Sequence, residues 1–97
     1  MLRKILWYLI AGTRGGNSRA KILDALIERP YNANKLSEIL GLDYKTVKHH
    51  LEVLKKNSLI VAEGDKYGVV YFPSTKLEEN QDEFRKILAI INKDANE

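Results

Sequence analysis

The sequence predicts a mainly helical single domain carrying one small β-hairpin, and three observations predict it. Apolar residues recur at helical spacing over most of the first 57 positions, short β-branched and aromatic runs replace that period near residue 60, and helical spacing resumes after Pro73. The chain has 97 residues, enough for one hydrophobic core and too few for two. Apolar residues make up 44% and charged residues 30%, the balance of a folded chain, and only positions 94–97 have the composition of disorder.

Leu2, Ile5, Leu6, Leu9 and Ile10 recur at helical spacing, while Trp7 and Tyr8 widen the apolar surface, so a helix is expected with a buried strand as the alternative. Arg3 and Lys4 before the apolar run 5–11 resemble a signal peptide superficially. The run is far short of the roughly 20 residues that span a bilayer, and no small-residue cleavage pattern follows. Positions 12–16 read as a glycine-rich loop. Asn17 or Ser18 is the expected cap of a helix through Glu28, with Ile22, Leu23, Leu26 and Ile27 inward, and Pro30 ends it. Asn32 caps a short helix with Leu36, Ile39 and Leu40 inward, Gly41 terminates it in a left-handed conformation, and Leu42 plugs the turn.

Asp43 then caps a longer helix whose inward stripe is Val47, Leu51 and Leu54, flanked by Val53, with Asn57 as the expected left-handed terminator. Runs 59–63 and 69–72, separated by 64–68, form a hairpin. Pro73 stops it, and Ser74 or Thr75 caps a final helix carrying Leu77, Phe84, Ile87, Leu88 and Ile91. Two helices joined by about three residues containing a glycine, then a hairpin, outline a winged helix-turn-helix, here with extra N- and C-terminal segments. The winged core is expected at 17–73 within one domain, 1–97.

There are no cysteines, which removes disulfides, thiolate metal sites and cysteine nucleophiles together and fits a cytoplasmic location. No nucleophile with its base, no paired acid site and no Gly-Lys-Ser/Thr phosphate loop stands in the sequence, so neither enzymatic activity nor a cofactor is expected. The net charge of +3 is unevenly spread. Residues 1–60 carry 11 Lys/Arg against 5 Asp/Glu, whereas residues 61–97 carry 5 against 8. Such asymmetry suits a module that faces nucleic acid with its first two thirds.

Residues 34–54 contain Thr46-Val47-x-x-His50-Leu51-x-x-Leu54, followed by Asn57-x-Leu59-Ile60 and, more weakly, Tyr67-Gly68-x-x-Tyr71. On these motifs the chain resembles the ArsR-like winged helix-turn-helix transcription regulators, particularly the small archaeal ones, over about residues 17–73. The resemblance implies a recognition helix at 43–57 and a wing at 59–72. It also exposes a departure: Ser58 stands where the family usually has glycine, which leaves the exit from the helix to Asn57.

With the stripe turned inward, Lys45, Thr46, Lys48 and His49 cover the outer face of that helix, and Tyr44 stands at the corner of its exposed N-terminal half. Lys45 and Lys48 suit phosphates or guanine acceptors; Tyr44, Thr46 and His49 suit phosphates or a thymine methyl. Tyr44 is equally placed for packing, and Lys55 and Lys56 for a merely solvated face. Adjacent His49 and His50 point about 100° apart and cannot share a metal ion, so His50 is expected to hydrogen-bond inside the domain. Arg14 and Arg19 flank the glycine-rich helix entry, where a phosphate contact competes with plain loop and cap chemistry, and Lys66 at the hairpin tip is a weak wing contact.

Leu77, Phe84, Leu88 and Ile91 make a seam on the final helix, 74–93, that predicts a homodimer, with a fold back onto the chain's own core as the alternative. Two-fold symmetry then sets the recognition helices about 34 Å apart. The expected function is sequence-specific binding of double-stranded DNA as a transcription regulator, with no membrane association and no small-molecule effector predicted. The rival is a winged helix used as a protein-interaction module in a transcription or chromatin complex.

Overall fold

A computed structural model describes residues 2–65 and 68–95 of the chain. Its first segment is a helix, α1 (Leu2–Ala11), with Leu6, Leu9 and Ile10 buried. Helix α2 (Gly16–Glu28) follows across a joint that demands glycine: a Cβ on Gly16 would lie 1.6 Å from the Ile10 carbonyl oxygen. The cap differs from expectation. Gly15, not Asn17 or Ser18, occupies the N-cap, and no side chain accepts a bond there. A side chain at Gly15 has no room, since a Cβ there would lie 2.7 Å from the His50 ring and 3.1 Å from the Arg19 guanidinium. Arg29, preceding Pro30, is extended and closes α2.

Tyr31–Asn32 forms a strand, β1, that the sequence does not announce, because two residues are too few to show an alternating period. Asn32 also caps α3 (Ala33–Leu40), its side chain accepting from the Lys35 N–H at 2.7 Å. Gly41 ends α3 with φ 66, as expected, and the Leu42 N–H returns to the Ser37 carbonyl. Leu36 is fully buried, but Ile39 is 44% exposed rather than inward. An eight-residue helix crossing the core at one point has a narrower apolar stripe than its sequence offers.

Asp43 caps α4 (Tyr44–Lys56) by accepting from the Thr46 N–H. Val47, Leu51 and Leu54 are each 0% exposed, and truncating one such leucine to alanine costs about 2–5 kcal/mol. The helix exit corrects the sequence reading. Asn57 has φ −95, with its side-chain amide donating to the Val53 carbonyl, and Ser58 itself takes the left-handed conformation at φ 64. The Ser58 N–H bonds the Lys55 carbonyl and the Leu59 N–H the Leu54 carbonyl, the paired closure in which glycine usually holds Ser58's place.

Strands β2 (Ile60–Asp65) and β3 (Gly68–Pro73) pair antiparallel, and β1 joins the other edge of β3 to give the order β1-β3-β2. Ile60 lies opposite Pro73 and Ala62 opposite Tyr71. Because the Ser74 N–H bonds the Leu59 carbonyl, the adjacent Ile60–Pro73 pair exchanges no ladder bond, and the missing proline N–H costs nothing there.

The final segment is two helices rather than one: α5 (Thr75–Glu79), capped by Ser74, and α6 (Gln81–Ala95). At Asn80 the backbone N–H bonds back to Leu77 and the side-chain amide to the Lys76 carbonyl, satisfying locally the groups that a continuous helix would use. The break lets Leu77, Phe84 and Ile87 reach the core, each 0% exposed. Two of the four residues of the expected dimer seam, Leu77 and Phe84, are therefore covered by the chain itself. Glu83 ties α6 to α1, accepting from the Trp7 indole N–H at 2.6 Å and from Arg3 at 3.2 Å.

Candidate nucleic-acid interface

The outer face of α4 is built by its inner one. Anchoring through Val47, His50, Leu51 and Leu54 leaves Tyr44, Lys45, Thr46, His49, Glu52, Lys55 and Lys56 exposed, with Tyr44 at 47%. The first turn carries no carboxylate of its own, and Lys55 and Lys56 complement the negative end of the helix dipole. Asp43 is the one acid at the N-terminus, and its carboxylate is engaged with the Thr46 N–H at 3.2 Å and the Thr46 hydroxyl at 3.4 Å. A helix about 10–12 Å across fits a B-DNA major groove about 12 Å wide, so side chains of this face are the ones able to meet base edges.

Lys48 is half-buried, set apart from Lys45 by its position between α4 and the sheet. It lines a concavity of about 220 Å³ with Asn32, Asn34, Tyr44, Val69 and Tyr71. The adjacent Tyr71 raises its pKa above the usual lysine value, chiefly by electrostatic interaction. Asn34, exposed on the first turn of α3, shares this concavity and was not singled out by the sequence. Its one signal is its place two residues after the cap residue Asn32.

The other candidates separate. Arg14 is exposed in the loop before α2. Arg19, read from the sequence as a phosphate contact, is 8% exposed, and its guanidinium donates to the Leu9 carbonyl at 2.8 Å and to the Thr13 hydroxyl at 2.6 Å. It closes the C-terminal end of α1, where unpaired carbonyls and the helix dipole favour a cation, and it is unavailable to a duplex. Lys66 lies outside the described residues. His50 is 6% exposed, and its Nδ1 has no hydrogen-bond partner among the described residues, in contrast to the internal bond expected of it. Burial, then the nearby Arg19 and His49 charges, push its pKa below the ordinary histidine value. Among the described residues, no three histidine, aspartate or glutamate side chains converge as metal ligands, and no helix is long and apolar enough to cross a membrane.

A helix, a glycine turn, a second helix with its outer face free and a three-stranded wing together define a winged helix-turn-helix. Residues 17–60 match the family model described as bacterial regulatory protein, arsR family. Comparison with curated proteins gives no match.

Solved structures share the fold. A probable transcriptional regulator from Pseudomonas aeruginosa superimposes with a TM-score of 0.73 and 23% identity, over 96% of this chain and 73% of that one. Rv0081 from M. tuberculosis gives 0.68 and 23%, over 97% and 93%. HlyU from Vibrio cholerae, in its reduced form, gives 0.64 and 18%, over 91% and 84%.

Proposed function

We propose that the protein is a cytoplasmic transcription regulator that binds double-stranded DNA sequence-specifically, with residues 43–57 as recognition helix in the major groove and 59–72 as a wing on the flanking backbone. The single observation that carries this is the grouping of exposed Tyr44, Lys45, Thr46 and His49 on the first turns of α4, fixed in place by a stripe at 0% exposure. Lys45 and Lys48 supply charge for phosphates or guanine, Tyr44, Thr46 and His49 supply donors and apolar edges, and Arg14 supplies a flanking phosphate contact.

The whole chain acts as one domain, with 17–73 as its winged core and 74–93 as the contact between two copies. Tyr8 at 64% and Ile90 at 45% exposure leave apolar surface on α1 and α6 beside half-buried Leu88 and Ile91, which supports a homodimer through these two helices.

Salt dependence of duplex binding tests the proposal. The Lys45→Ala variant is expected to bind more weakly and to flatten the slope of log affinity against log salt by about 0.9, one phosphate contact. A slope equal to wild type, or no binding by the wild-type chain, favours the protein-interaction module instead.

A further inference from the structure

Of the four buried residues of α4, His50 alone is polar, and a cation stands beside it. An atom in the Cβ position of Gly15 would lie 2.7 Å from His50 Cε1 and 3.1 Å from Arg19 Nη2, so imidazole and guanidinium flank one point at the N-cap of α2. The guanidinium is fixed there, because Nη1 donates to the Leu9 carbonyl at 2.8 Å and to the Thr13 hydroxyl at 2.6 Å. Both side chains are more than nine-tenths buried, and neither forms an ion pair among the described residues. Each also keeps a buried nitrogen without a partner, Nδ1 of His50 and Nε of Arg19. A fixed buried cation with no acid beside it tolerates a neutral imidazole and penalises an imidazolium. On α4 itself the exposed His49 ring is 5.7 Å from that of His50, centroid to centroid. Arg19 from α2 and His49 from α4 are the charged or titratable groups facing His50 among the described residues.

Resting on the DNA-binding reading above, we propose that the His50–Arg19 contact is an acid-sensitive seat for the recognition helix: a proton on His50 sets two buried cations against each other, displaces α4 from the α1–α2 joint and weakens the hold on the duplex. Arg19 is bonded to the end of α1, so the repulsion is relieved by movement of α4. Lys48 and His49 directly precede His50, and a shift of the seat carries the outward face with it. Acid acts on the two histidines in opposite directions. A proton on exposed His49 adds a cation toward phosphate and strengthens binding, whereas one on His50 weakens it. Since the folded protein holds the His50 pKa below the ordinary histidine value, the seat is intact above that value and is lost as pH falls through the lower, folded one.

The test is affinity for a fluorescent mixed-sequence duplex between about pH 8 and pH 5, the range in which histidine titrates, at constant ionic strength. Each variant is compared with itself at the alkaline end, over the range in which circular dichroism shows it folded. His49→Gln, which lacks the opposing gain, is expected to lose about 5-fold or more in affinity on acidification, the low end of coupling between linked sites. The wild type loses less, and His50→Gln loses nothing. Arg19→Met approaches the contact from the other side: the acid loss shrinks, and the His50 ring titrates by NMR nearer the ordinary histidine value. An undiminished acid loss when His50→Gln is added to His49→Gln, no acid loss in His49→Gln itself, or a wild-type His50 ring titrating at or above the ordinary value overturns the seat and leaves the DNA-binding reading standing. If the wild-type chain binds no duplex at any pH, that reading falls and amide NMR decides the seat. Shifts at Gly15, Gly16 and along α4 that follow the His50 titration support it, and unmoved amides there overturn it.

Discussion

Replacing Ser58 by glycine should stabilise the protein. Ser58 is the one non-glycine residue with positive φ among the described residues, and it is exposed, so the substitution removes a Cβ from a left-handed position and little else. Its backbone bonds, N–H to the Lys55 carbonyl and carbonyl to the Ser74 hydroxyl at 2.7 Å, survive the change. An L-residue in the left-handed region costs roughly 1–2 kcal/mol, with short polar side chains at the low end. The greater freedom of glycine in the unfolded chain returns about 0.4–1 kcal/mol of that. The net gain is therefore about 0.5–1 kcal/mol, which in a domain of this size raises Tm by roughly 2–8 °C. Urea unfolding measures it directly, with a shifted midpoint and an unchanged slope. Ser58→Ala keeps the Cβ and should stay within about 0.5 kcal/mol of wild type. A glycine variant no more stable than the alanine variant refutes the assignment of strain to this position.

Two further outcomes follow from buried groups. His50 has a pKa below the ordinary histidine value, so the unfolded chain takes up the proton first; stability is full above the ordinary value and falls as pH drops through and below it, and urea midpoints for His50→Gln should lose this part of the acid dependence. Arg19→Ala removes charge-assisted bonds to Leu9 and Thr13 and should cost about 1.5–3 kcal/mol in thermal or urea unfolding, while leaving the salt slope of DNA binding at the wild-type value; a flattened slope would return Arg19 to the interface.

The helix-turn-helix was legible because its signals are local. Asn32, Gly41 and Asp43 are cap residues whose backbone roles follow from their own chemistry, and Val47, Leu51 and Leu54 fix a helix face by spacing alone. What escaped the sequence is long-range. Strand β1 exists because β3 offers an edge at Val70 and Tyr71, which no property of Tyr31 and Asn32 announces.

Arg19 follows a glycine-rich loop in a pattern that suits phosphate, and only the approach of α1 turns it inward. The seam of the last helix ran through Asn80, where the chain breaks into two helices with the Asn80 side chain bonded to the Lys76 carbonyl, and Leu77 and Phe84 lie in the core. On the candidate face, outward residues were readable from periodicity, while the concavity lined by Lys48 and Tyr71 joins positions 23 residues apart that meet only once the wing folds beside α4.

The central claim is that one face of α4 meets the duplex, and backbone amide NMR of the isotope-labelled protein titrated with duplex DNA tests it most directly. Shifts are expected to be largest at Tyr44, Lys45, Thr46, Lys48 and His49, smaller along β2 and β3, and least in α1 and α6. Maximal shifts in α1 and α6, with the amides of α4 unmoved, would contradict the account.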